Sequence, residues 1–189
     1  MIHRVLGLIA LALVAGCASA PEFKYYTLDM RASGGATVSY NVEIEGLRPV
    51  DALARPDILI QAEPTRVEYY ATDRWVSGIG SILSEKLQAE FGPSDPSRET
   101  IVVDGEILGF GQVDTPAGAE AFLKIQLAFR KSSQRRTDAP VLKKIYERTL
   151  PASTPSPADV VKALSSGVEA IAAEVAQDIG GIPLEAAKL

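Results

Sequence analysis

The chain is poor in the side chains that carry most enzymatic chemistry. Its 189 residues include one histidine, His3, and one cysteine, Cys17, both near the N-terminus. If the leading segment is removed and the thiol consumed, as argued below, the mature chain keeps no imidazole and no free thiol. That excludes Ser-His-Asp and Cys-His catalysis, zinc sites built on histidine or cysteine, and any intrachain disulfide. Basic charge is in deficit, with 19 Lys+Arg against 24 Asp+Glu. Nucleic acid is therefore not an expected partner, because phosphate binding needs a concentrated basic face. No phosphate-cradling loop is present, since Gly105, Gly109 and Gly111 lack the strand-to-helix setting such loops require. No cofactor or metal motif is found. Carboxylate or Ser-Lys chemistry survives these exclusions, but no motif marks either, and a pocket joining Asp104 or Glu106 to a lysine would be needed to support it.

Long apolar runs are also missing after the leader, where nothing approaches the roughly 20 residues of a membrane-spanning helix. The leader itself has a charged start, Met1 to Arg4, and an apolar run from Val5 to Val14 that is too short to span. Small Ala15 and Gly16 then precede Cys17. Leu13-Val14-Ala15-Gly16-Cys17 reads as a lipobox, in which a bacterial lipoprotein receives a diacylglyceryl group on the cysteine and loses its signal. Residues 1–16 are thus expected to be removed and Cys17 to become an acylated N-terminus, with a fatty acyl group such as palmitate. Two or more acyl chains, at about 0.8 kcal/mol per buried CH₂, give stable attachment where one is marginal. Ala18 in place of an aspartate favours outer-membrane sorting. Residues 17–24 form a short tether and 25–189 one domain. At 47% hydrophobic and 23% charged, the composition is that of a globular chain.

Along that domain the hydrophobic period alternates between two and three-to-four. Tyr25 to Leu28 reads as a strand, followed by a turn at Ser33-Gly34-Gly35. Val38, Tyr40, Val42 and Ile44 alternate with polar residues in a half-buried strand, and 46–55 reads as a connector. Strands over 57–61 and 66–70 form a hairpin around Pro64-Thr65. Val76, Ile79, Leu83, Leu87 and Phe91 then predict a helix from Asp73, capped by Thr72 and stopped at Gly92-Pro93. Strands at 101–107, 123–129 and 141–150 predict an antiparallel meander. Ser156-Pro157-Ala158-Asp159 opens a last helix that Gly180-Gly181 ends. The layout predicts an α+β domain, an antiparallel sheet with both amphipathic helices on one face.

Several stretches resemble the ABC-type transport auxiliary lipoproteins. These are the lipobox, the Tyr-Tyr-Thr-Leu strand, Leu53-Ala54-Arg55-Pro56-Asp57-Ile58-Leu59-Ile60, the Tyr-rich hairpin and Arg74-Trp75 opening a helix. The resemblance implies a non-enzymatic accessory subunit on the periplasmic side of the outer membrane. It would work beside a mammalian-cell-entry (MCE) domain protein and an ABC transporter in lipid movement, and a ring of identical copies is one arrangement it allows. The alternative is a scaffold or assembly lipoprotein of another outer-membrane secretion or lipopolysaccharide-export machine.

Two residue groups are candidates for contact. Arg55, Tyr69, Tyr70, Arg74 and Trp75 combine the types that dominate interface hot spots, although a lone tryptophan at stripe spacing equally reads as core. Arg130, Lys131, Arg135 and Arg136, with Lys143 and Lys144 nearby, surround one hairpin connection. They read as a contact for anionic headgroups or an acidic partner, or as a solvated tip that keeps edge strands apart.

Overall fold

A computed structural model describes residues 20–30 and 38–184. The lipobox with Cys17 and the turn at Ser33-Gly34-Gly35 lie outside those residues. The elements are β1 (Lys24–Tyr26), β2 (Asn41–Pro49), a 3-10 turn (Asp51–Leu53), β3 (Asp57–Glu63), β4 (Arg66–Trp75), α1 (Ile79–Glu90), β5 (Thr100–Thr115), β6 (Gly118–Lys131), β7 (Leu142–Pro151) and α2 (Pro157–Gly180).

The strands make one seven-stranded sheet in the order β1-β4-β3-β5-β6-β7, with β2 also on β5. Long β5 serves two neighbours on the same side, β2 along its first half and β3 along its second. The predicted meander of β5, β6 and β7 is antiparallel, but β1 on β4, β2 on β5 and β3 on β5 are parallel. Alternation fixes which face a side chain takes and leaves strand direction open, so the mixed pairing had no signature in the sequence.

Both helices join the sheet in one core, which includes Leu83 and Leu87 of α1, Ile101 and Ile107 of β5, Leu123 to Phe129 of β6, and Leu164 and Ile171 of α2. Helix α2 begins as expected: Ser156 caps it, its hydroxyl accepting the Asp159 amide hydrogen at 3.2 Å, and Pro157 takes the first turn. Gly167 lets α2 lie close on the sheet, since a Cβ there would stand 2.5 Å from Leu123 Cδ2. The Ser165 hydroxyl accepts from the Asp29 amide at 3.0 Å, tying the N-terminal segment to α2.

Helix α1 starts later than the sequence suggests. Strand β4 runs on to Trp75, and the helix opens at Ile79 with Gly78 as N-cap. Residues 73–75 pair with β1, the Trp75 amide donates to Pro56 O at 2.8 Å and the Val76 amide to Tyr26 O at 2.9 Å. These partners are distant in sequence, and they outweigh a helical spacing that extended across the bend by coincidence. Val76 is accordingly exposed. Strand β2 likewise continues through the expected connector to Pro49. The register shifts between Ile44 and Gly46, and Gly46 has φ of +147°, a bulge that lets alternation resume with Leu47 in and Arg48 out.

Candidate docking surface

The Tyr-rich hairpin carries the first candidate group, and the pleat of β4 divides it. Neighbouring residues of a strand face opposite sides, so Tyr69 and Tyr70 cannot share a surface. Tyr69 lies opposite Leu59 on the face away from the helices. The Arg55 guanidinium stacks 4.2 Å from its ring centroid, and the Tyr69 hydroxyl donates to Ala52 O at 2.9 Å. Tyr70 turns to the helix side, where its hydroxyl donates to Gln112 and meets Pro155 O at 3.1 Å, just before α2. Burial pushes the Tyr70 phenol up to about 12, helped by the charges of Asp114 and Asp73.

Arg74 holds Asp57 through Nε at 2.9 Å and covers the Phe23 ring at 3.9 Å, fixing the chain before β1. Trp75 is core, 4% exposed, with its ring 5.5 Å from that of Phe110. Of the five residues, the structure brings three together on an accessible surface: Arg55 stacks on Tyr69 and, at 3.4 Å from Asp57, shares that carboxylate with Arg74, while Tyr70 and Trp75 lie on the other side.

The basic group divides in the same way. Arg130 faces away from the helices and pairs with Asp104, whereas the next residue, Lys131, is 6% exposed, pairs with Glu99 at 3.4 Å and lies near the Tyr40 ring. Lys131 therefore cannot present its charge to a surface. Arg136 pairs with Glu45, and the backbone amide of exposed Arg135 donates to Asp138 at 3.0 Å. Lys144 points to the helix side, 2.9 Å from Glu174 and 2.8 Å from Asp178. Hydrogen bonds from Lys144 and Arg148 hold the Glu174 carboxyl below its usual range, and those to Asp178 and Glu174 hold Lys144 above its own. The Tyr146 phenol is also raised, by burial and by its bond to Asp178.

The open face of the sheet holds the surface that sequence reading missed. A recess of about 180 Å³ lies among Val50, Leu59, Val67, Leu108 and Phe122, and an adjoining one of about 440 Å³ among Gln61, Pro64, Val113 and Pro116. Gly109 makes room for Phe122, because a Cβ there would stand 2.4 Å from the ring. Toward the other end of β5, a recess of about 210 Å³ gathers Arg48, Asp104, Glu106, Arg130 and Lys143. It does contain two carboxylates and a lysine. Asp104, however, is occupied by Arg130, and no hydrogen bond links Lys143 to either acid among the described residues. The signal for Arg48 was the alternation resuming after Gly46.

A domain with an open sheet face and two helices on the other can be placed by comparison. The family of ABC-type transport auxiliary lipoprotein components matches residues 26–176. The chain belongs to that family. The matched stretch runs from the end of β1 nearly to the end of α2, so it takes in the sheet and both helices. No curated protein matches the chain. Protein XCC0632 from Xanthomonas campestris is similar in structure with a TM-score of 0.68 at 13% identity, covering 81% of this chain and 92% of that one. A crystal structure of an uncharacterized protein is similar with a TM-score of 0.66 at 16% identity, covering 84% of this chain and 99% of the other. At these identities the two structures speak to the fold alone. The family is a lipoprotein component of a transport system, in keeping with a place in the cell envelope.

Proposed function

We propose that the protein is a non-catalytic accessory subunit of an ABC-type lipid transport system, docking on an MCE-domain partner that spans the periplasm. Acyl chains on Cys17 anchor it to the outer membrane, with the domain facing the periplasm close to its attachment point. The observation that carries this reading is the family match over residues 26–176, which takes in the sheet and both helices. The site geometry supports a docking role, since the accessible features of the open face are apolar troughs beside a mixture of ion-paired charges and the exposed cations Arg48 and Lys143.

Affinity purification of the full-length chain from native membranes tests it. Co-purification of an ABC ATPase, a permease and an MCE-domain protein is the expected result. Recovery with a secretion or lipopolysaccharide-export machine instead would favour an assembly scaffold. Labelled palmitate should mark the wild-type chain and not Cys17→Ser, and label on the variant would refute the anchor.

A further inference from the structure

The open face changes character along β5. Arg48 lies opposite Glu106, and Glu106 opposite Gln126, forming one cross-strand row. The rows that follow are Gly109–Lys124 and then Gly111–Phe122, with Leu59 opposite Gly111. Alternate residues of a strand are roughly 7 Å apart, so the charged row lies within roughly 15 Å of the apolar one. A single partner segment of a few turns or strand residues can cover both.

The charges on this face differ in whether they are satisfied. Arg130 is held by Asp104, Arg136 by Glu45, and Lys124 by Glu147 at 2.8 Å. Arg48 and Lys143 are exposed and take part in no ion pair among the described residues. They flank one recess beside an apolar trough, in a chain whose net charge is −5.

We propose that this face receives a segment of a partner polypeptide, with apolar side chains in the Leu59–Leu108–Phe122 trough and a carboxylate against Arg48 and Lys143. The inference rests on the docking role above and names the surface and the chemistry of the partner. A membrane fits the face less well. Glu45, Asp104, Glu106 and Glu147 are interleaved with the cations, so the face offers an anionic bilayer little net attraction, whereas a folded partner can address individual charges.

The test uses the full-length native complex and the purified MCE-domain protein recovered with it. The double substitution Arg48→Glu with Lys143→Glu, and separately Val67→Glu at an exposed trough position, should each weaken binding tenfold or more. Ser166→Glu on the outer side of α2 should leave it unchanged. A photoreactive p-benzoylphenylalanine in place of Val67 should crosslink to a partner peptide that carries both apolar and acidic residues. Crosslinking to lipid or to a second copy, or unchanged affinity in variants with wild-type melting curves, would overturn the inference while co-purification keeps the accessory role intact. If the wild-type chain recovers no transport component, both readings fall.

Discussion

The side chain of Gln88 on α1 behaves toward Ile44 as a neighbouring strand would, its Oε1 accepting the Ile44 amide hydrogen at 2.8 Å. Its Nε2 donates to Val42 O at 3.0 Å, and one turn earlier the Ser84 hydroxyl accepts from the Leu47 amide at 3.1 Å. Helix α1 thus satisfies backbone groups of β2 that would otherwise stand open at a sheet edge. Gln88→Leu should cost about 1–3 kcal/mol, the penalty for partly buried polar groups left unpaired. Chemical denaturation measures it. Gln88→Glu, which keeps the acceptor and loses the donor, should fall between the variant and wild type.

Gly80 and Gly167 distinguish two kinds of close approach. A Cβ on Gly80 would stand 2.2 Å from Leu47 O, a backbone atom, whereas one on Gly167 would meet the flexible end of Leu123 at 2.5 Å. Glycine to alanine inside an open helix gains roughly 1 kcal/mol of propensity. At Gly80 the clash should reverse that gain, with a net loss of about 1–3 kcal/mol from overpacking. Gly167→Ala should lose less, because a side chain can shift. Thermal unfolding of both variants checks the order, and a stabilised Gly80→Ala would contradict the contact between α1 and β2.

Trp75 is the only tryptophan and is buried against Phe110, so its emission reports the core. Emission should be blue-shifted and resistant to acrylamide. Binding of a partner should leave the spectrum unchanged. Trp75→Ala should cost about 3–5 kcal/mol, as expected for truncating a buried aromatic.

Lys144, Arg148 and Glu174 link β7 to α2 across the edge of the core. The folded Glu174 carboxyl titrates below its ordinary 4.5, so its contribution is present above that pH and lost as pH falls through the lower folded value. Lys144 is raised from 10.5, so its contribution is present below that pH and lost as pH rises through the higher folded value. Glu174→Gln should therefore flatten the decline of stability with acid below about pH 4.5. Near neutrality it should cost about 1 kcal/mol or less, as partly exposed ion pairs do. Denaturation at a series of pH values gives both numbers.

The two candidate groups were legible to different degrees. Arg55 and Tyr69 do meet, because the 3-10 turn and β4 bring a loop residue over a strand residue on one face. Tyr70, Trp75 and Lys131 were grouped with neighbours in sequence that the pleat sends to the other side. Arg48 was passed over because a bulge hid the continuation of β2.

By itself the sequence determined the last helix, the meander and which residues of β6 are core. Each depends on local information: a serine cap, a terminal glycine, or alternation that only one registration with a dry face satisfies. Only the tertiary structure decided where α1 begins, which strands run parallel and which cations remain unpaired. Those outcomes depend on pairing between segments far apart in the chain, such as Tyr26 with Trp75 and Arg48 with Glu106, and local periodicity carries no record of such partners.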